Sequence, residues 1–192
     1  MAASDITELS RSMKREGLIV WIDMEMSGLD PDRDRILEMA TIVTDGQLVV
    51  VAEGPEFVIH QPASVLDAMD EWNQKHHAAS GLLDRVRRST VREAQAEEET
   101  LRFLMPFMEA RTAPLAGNSI HQDRRFIARH MGRLDHFLHY RMIDVSSIKE
   151  LAKRWYPHEY KRIPGKKNTH RALDDIRESI DELRWWRRNV FR

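Results

Sequence analysis

A chain of 192 residues, 42% hydrophobic and 32% charged, can bury roughly two-thirds of its unfolded surface around one core, which excludes disordered and fibrous classes. Thirty basic residues stand against thirty-one acidic, a formal net charge of -1, so there is no global positive field of the kind that tracks a long nucleic acid. The lack of cysteine excludes disulfides, thiol nucleophiles and cysteine-bound metal clusters; the longest purely apolar run, residues 18–22, falls far short of the ~20 residues of a spanning helix.

Residues 1–16 carry Asp5, Glu8 and Glu16 and no apolar stretch, so they read as a polar leader rather than a secretory signal or an acid-poor transit peptide. A single domain over 17–192, working in the cytoplasm without a membrane, is the expectation. Residues 18–22 are an apolar run that stops at a carboxylate, the pattern of a strand buried on both faces. Residues 36–44, 47–51 and 56–60 follow as further strands, with Asp45-Gly46 as a hairpin signal, giving a meander of three or four. From Pro62 the pattern turns helical, most clearly over 90–110. Two short apolar segments, 113–117 and 140–144, each precede a helical stretch, 123–131 and 146–155. Such alternation adds parallel strands to the meander. The basic, breaker-rich residues 160–169 form a loop, after which Asn168 or Thr169 can cap a last helix from His170 to about Asn189. The predicted fold is α/β, a mixed five-stranded sheet flanked by helices.

Asp23 and Glu25 close the first strand, and strand alternation points both carboxylates to one face. Like charges at that spacing either raise one pKa or hold a cation, for which hard oxygen ligands suit magnesium or manganese. The plainer alternative is a strand end in solvent with two unrelated acids. A second cluster, residues 118–123, follows the strand at 113–117; in an open sheet ligands gather beyond the carboxyl ends of parallel strands, where Asp23, Glu25 and Asp123 would converge. Asn118 and Ser119 can equally start a helix, with Asp123 in its first turn. In the third cluster, Ala172, Leu173, Ile176, Ile180 and Leu183 define an apolar stripe from which Asp174 falls about 150° and Asp175 about 110° away, so Asp175 is the better ligand. His170 lies in the first turn, able to take a proton near neutrality, or to be no more than an exposed helix start.

In order and spacing these clusters resemble the three motifs of the DEDD exonucleases in their histidine-bearing branch: Asp23 with Glu25, then Asp123, then His170 with Asp175. Residues 21–30, 117–126, 140–145 and 169–179 are similar to oligoribonucleases, and the likeness covers nearly everything beyond residue 17. It implies an RNase H-like fold, two divalent ions (magnesium or manganese), and hydrolysis of very short RNA, especially dinucleotides, from the 3′ end. It further implies that Asp23, Glu25, Asp123 and Asp175 hold the metals and that His170 deprotonates the attacking water. Leu29 resembles a wedge between two bases, Trp72 and His77 residues flanking the 3′ nucleotide, and Ser119, Arg141 and Ser146 a cap on the 5′ phosphate. Tyr140 resembles a residue lent by the other subunit of a homodimer. Each has a competing account: Trp72 as packing, Leu29 as a loop residue folded onto the sheet, Arg141 as a salt-bridge donor. Asp144 reads as structural. His121, where some relatives have glycine, lies close to Asp123 or points to solvent, and residues 185–188 read as a helix end packed on a neighbour or a subunit interface.

Three rivals remain. A DNA-trimming exonuclease would share the five catalytic positions; the near-neutral charge favours the smaller substrate. A catalytically silent nucleic-acid-binding protein would be free to lose the acids present here. An aspartyl-phosphate phosphatase wants aspartate where Glu25 stands.

Overall fold

The computed structural model describes residues 16–165 and 171–191. Most of the 1–16 leader, the Asn168 and Thr169 cap, and His170 lie outside the described residues. Five strands form one mixed sheet: β1 (Ile19–Met26), β2 (Ile36–Thr44), β3 (Val50–Val58), β4 (Leu115–Gly117) and β5 (Met142–Asp144), in the order β3-β2-β1-β4-β5. The β1–β2 and β2–β3 pairs are antiparallel; β1–β4 and β4–β5 are parallel. The nine described helices are α1 (Ala63–Asp67), α2 (Glu71–Ala79), α3 (Leu82–Arg88), α4 (Glu93–Leu104), α5 (His121–His130), α6 (Gly132–Phe137), α7 (Val145–Trp155), α8 (Pro157–Tyr160) and α9 (Ala172–Asn189). Among the described residues no helix is long and apolar enough to cross a membrane.

Strand alternation builds two cores. Val20, Ile22 and Met24 of β1, with Met39 and Val43 of β2, face Leu101 and Leu104 of α4 and Phe126 and Ile127 of α5. Ile19 and Trp21, with Ala40 and Ile42, face Ala152 of α7 and Ile176, Ile180 and Trp186 of α9. Each fully buried aliphatic side chain in these layers stabilises the fold by about 1.5–3 kcal/mol. Trp186 extends the predicted stripe of α9 by one turn and rests on Trp185 and Tyr160, so this helix end packs within its own chain.

One local expectation is corrected, and the expected hairpin forms. Residues 47–51 and 56–60 are not separate strands: β3 runs continuously from Val50 to Val58, absorbing irregularities by register shifts against β2. Gly54 makes this possible, since a Cβ there would lie 2.7 Å from the Phe103 ring and 3.0 Å from the Thr41 carbonyl. The hairpin after β2 is real, but Leu48 rather than Gly46 takes the left-handed conformation (φ 68°). The Asp45 carboxylate stabilises that turn by accepting from the Gln47 and Val49 amides at 2.9 and 2.8 Å.

Candidate active site

The carboxyl end of β1 is where the two halves of the sheet come apart. Strand β4 stops at Gly117 while β1 continues to Met26, so the Met24 amide has no strand neighbour on that side. Asp123, in the first turn of α5, fills the gap: its Oδ1 accepts from Met24 N at 3.0 Å. On the other side of β1, Asp23 is in register with Ala40 and Glu25 with Glu38, so these side chains lie on the α9 face of the sheet. There the first turn of α9 delivers Asp175. Ligand atoms of Asp23, Glu25 and Asp175 all lie within 4.8 Å of one another. Asp174 instead pairs with Arg177 at 3.4 Å. Asp123 stands outside the three-way set but close enough to act on Glu25 electrostatically.

Crowding shapes the titration of these acids. Burial, then the charges of Asp175, Glu38 and Asp123, push the Glu25 carboxyl up to about 8. Asp123 is pushed up to about 7, by burial first and the Asp144 carboxylate second, against the lowering pull of amide hydrogen bonds. A cluster of hard oxygen donors whose mutual repulsion opposes full ionisation is a fitting donor set for a divalent cation, because the cation removes the repulsion.

Around the acids the structure arranges most of the other predicted residues. His77 is buried, with Nε2 donating to the Met26 carbonyl at 3.0 Å and Nδ1 3.9 Å from Glu25 Oε2, so α2 abuts the end of β1. Trp72, earlier on α2, is 68% exposed and stacks on His76 at 4.7 Å between ring centres, which excludes the core reading. Leu29 is 62% exposed and not folded onto the sheet. Its loop is held by Asp34, whose carboxylate accepts from Ser27 Oγ at 3.1 Å and the Asp30 amide at 2.9 Å; Arg125 of α5 donates to the Leu29 carbonyl. Ser119 and Ser146 meet at the β4–α5 and β5–α7 junctions: the Ser119 amide donates to Ser146 Oγ at 3.0 Å and to Asp144 Oδ1 at 2.9 Å. Asp144 also accepts from the Ser146 amide as the N-cap of α7. His121 has Nδ1 3.9 Å from Asp144. Tyr140 is 73% exposed, with the Arg141 guanidinium 5.4 Å from its ring centre.

Sequence reasoning passed over Glu38 and Arg171. Glu38 is fully buried in β2, its Oε1 bonded to Arg85 at 2.7 Å and 3.5 Å from Arg171 Nε. Burial pushes its carboxyl up, while the Arg85 hydrogen bond pulls it down. The signal was present: a lone acid inside a nine-residue strand that is otherwise free of charge.

A model of the exonuclease family matches residues 20–183. The oligoribonuclease of Azoarcus sp. strain BH72 is 58% identical over 174 residues, covering 91% of this chain and 95% of its own. That of Pseudomonas aeruginosa PAO1 is 59% identical over 169 residues, 88% and 93% of the two chains. Among solved structures, Escherichia coli exonuclease I in complex with a 5cy-dT13 oligonucleotide superposes with a TM-score of 0.69 at 14% identity. The match covers 92% of this chain but 42% of the larger protein, and it establishes a shared fold. With identity this high across nearly the full length of its relatives, the chain belongs to the oligoribonuclease family, metal-dependent exonucleases that hydrolyse from the 3′ end.

Proposed function

We propose that this exonuclease acts in the cytoplasm on very short RNA, with dinucleotides as its preferred substrates, releasing nucleoside 5′-monophosphates. The observation that carries the reading is the convergence of Asp23, Glu25 and Asp175 within 4.8 Å, with Asp123 alongside. These four acids would hold two divalent ions, magnesium or manganese. When bound, such a pair polarises the scissile phosphate and stabilises the charge on the attacking and leaving oxygens. His170, five residues before Asp175, takes the proton of the attacking water. The new bond joins that water oxygen to phosphorus, and the bond to the 3′ oxygen of the preceding nucleotide breaks.

Preference for two nucleotides follows from residues at both ends of the acid cluster. The exposed faces of Leu29 and Trp72 offer apolar contact to bases. Ser119, Ser146 and Arg141 would meet a 5′ phosphate, and a site closed there has no room for a longer chain. Large exposed apolar side chains occur between residues 140 and 156, on edge strand β5 and helix α7 and just beside them: Tyr140, Met142, Leu151, Trp155 and Tyr156. Such a flank suits a homodimer in which Tyr140 reaches the partner's site. The test is hydrolysis of 5′-phosphorylated RNAs of two to twenty nucleotides with magnesium or manganese. The dinucleotide should turn over fastest; faster cleavage of long RNA or of DNA overturns the reading.

A further inference from the structure

We propose that Glu38 is a positioning residue, a buried carboxylate that fixes the Asp175 helix and the Trp72 arm against β1 in one arrangement. The proposal rests on the metal-binding reading above and concerns a residue with no part in holding metal or substrate. Its carboxylate gathers three elements. From α3, Arg85 Nη2 donates to Oε1 at 2.7 Å. At the start of α9, Arg171 Nε lies 3.5 Å from the same oxygen, and the Ala172 amide points to Oε2 at 3.4 Å. Arg171 extends the strap to β3, with Nη2 donating to Glu56 Oε1 at 2.8 Å.

This arrangement answers a local need. Helix α9 begins without a side-chain cap of its own, so its first amide would lack an acceptor in a buried setting. Glu38 supplies that acceptor from the strand, and its negative charge sits at the positive end of the helix. The Asp175 amide then closes the first turn onto the Arg171 carbonyl at 2.9 Å, so the anchored point and the metal-binding acid share one helical turn. Glu38 is also the register partner of Glu25. Through Arg85 it holds α3, which follows α2 across the Gly81 turn and so sets the arm that carries Trp72 and His77. An apolar residue would pack in the same space at lower desolvation cost, but its contacts are non-directional. A hydrogen-bonded charge specifies one arrangement.

The test uses the full-length protein at a temperature well below every variant's unfolding midpoint. Calorimetric manganese binding and kcat for a 5′-phosphorylated diribonucleotide are both measured. Glu38→Gln should weaken manganese binding and lower kcat by about 10-fold or more, the usual scale for losing a group that orients metal ligands. Adding Arg85→Gln removes the cation that Glu38→Gln leaves unpaired, since Arg171 keeps Glu56; the double variant should recover thermal stability without recovering metal affinity. Recovery of both would mean that Glu38 serves stability alone, and a folded Glu38→Gln with unchanged affinity and kcat would equally overturn the proposal. Should Glu38→Gln not fold, Arg171→Gln alone, at a half-exposed position, keeps the Arg85 pair and the Ala172 contact and cuts the side-chain strap from Glu38 to Glu56. It should weaken manganese binding about threefold or more, a partial loss on the same scale, and unchanged binding refutes the assignment. A wild-type protein that binds manganese but leaves the dinucleotide intact contradicts the substrate assignment, while the binding arm still decides the role of Glu38.

Discussion

Burial first, and neighbouring carboxylates after it, hold the Glu25 and Asp123 carboxyls protonated near neutrality, two such groups within one site. In the unfolded chain both return to the ordinary carboxylate range and release their protons above about pH 4–5. Between there and pH 8 the metal-free native state therefore binds more protons than the unfolded state. Stability contributed by these groups is present in full at the acid end and lost as pH rises through 7 and 8. In chelator the unfolding midpoint should fall from pH 5 to pH 8, and Glu25→Gln should flatten the decline. Magnesium should raise the midpoint more at pH 8 than at pH 5, because a divalent ion replaces the protons. Calorimetric scans across that range check all three; a midpoint that rises with pH in chelator would contradict the account. At this scale the sequence was informative wherever alternation or helical angle applied. Strand period placed Asp23 and Glu25 on one face, and the apolar stripe separated Asp175 from Asp174. Glu38 escaped notice because its importance depends on what packs over it, and the facing partners Arg85 and Arg171 come from distant stretches of chain.

Helices and strands bring these side chains to one place through differences in length. Because β4 is three residues long and β1 is eight, a free amide is left for Asp123 beyond the end of β4. Short strands at the sheet's far side were readable as apolar segments before helices, yet the gap they leave was not, since it follows from pairing register. The same limit explains β3. Residues 52–55 fall between the two strands expected at 47–51 and 56–60, whereas Gly54 is a close approach to Phe103 and Thr41 inside one strand. Helix α2 has the opposite character: its buried His77 anchors it to β1 while Trp72 remains open. Stacking of a base on an aromatic face contributes about 1–3 kcal/mol, so Trp72→Ala should raise the KM for a dinucleotide by about 5- to 150-fold. The kcat should change less, because the acids are untouched. A steady-state comparison decides it; equal KM values for variant and wild type would remove Trp72 from the binding surface.

For the whole molecule, the division of labour between the two flanks of the sheet is the organising feature. One flank, β2 with α3 and α9, carries the part-buried ion pairs of Arg85 and Arg171 with the buried Glu38. The other, β5 with α7, ends in exposed Tyr140, Met142, Leu151 and Trp155. If that flank joins two copies and Tyr140 serves the neighbouring site, two inactive variants should complement. Asp175→Ala retains Tyr140, and Tyr140→Ala retains Asp175, so a mixed dimer contains one site with both. Mixing the two variants after exchange of subunits should restore dinucleotide cleavage well above either alone; activity equal to the sum of the separate variants would contradict a shared site. The fold class was legible from strands preceding helices and from the strand-helix alternation that follows. The exposed flank was not, because Tyr140 and Trp155 as letters do not distinguish core from surface.

The central claim is that acids from β1, α5 and α9 face one another because cations are meant to stand among them. Its most direct measurement is a manganese titration followed by electron paramagnetic resonance, on wild type and on Asp175→Ala, with circular dichroism as the check on folding. The account predicts saturable uptake of two ions per wild-type chain, and a folded Asp175→Ala that loses at least one of them together with all RNA hydrolysis. A wild-type chain with no saturable uptake, or an Asp175→Ala variant that still hydrolyses RNA at the wild-type rate, would contradict it.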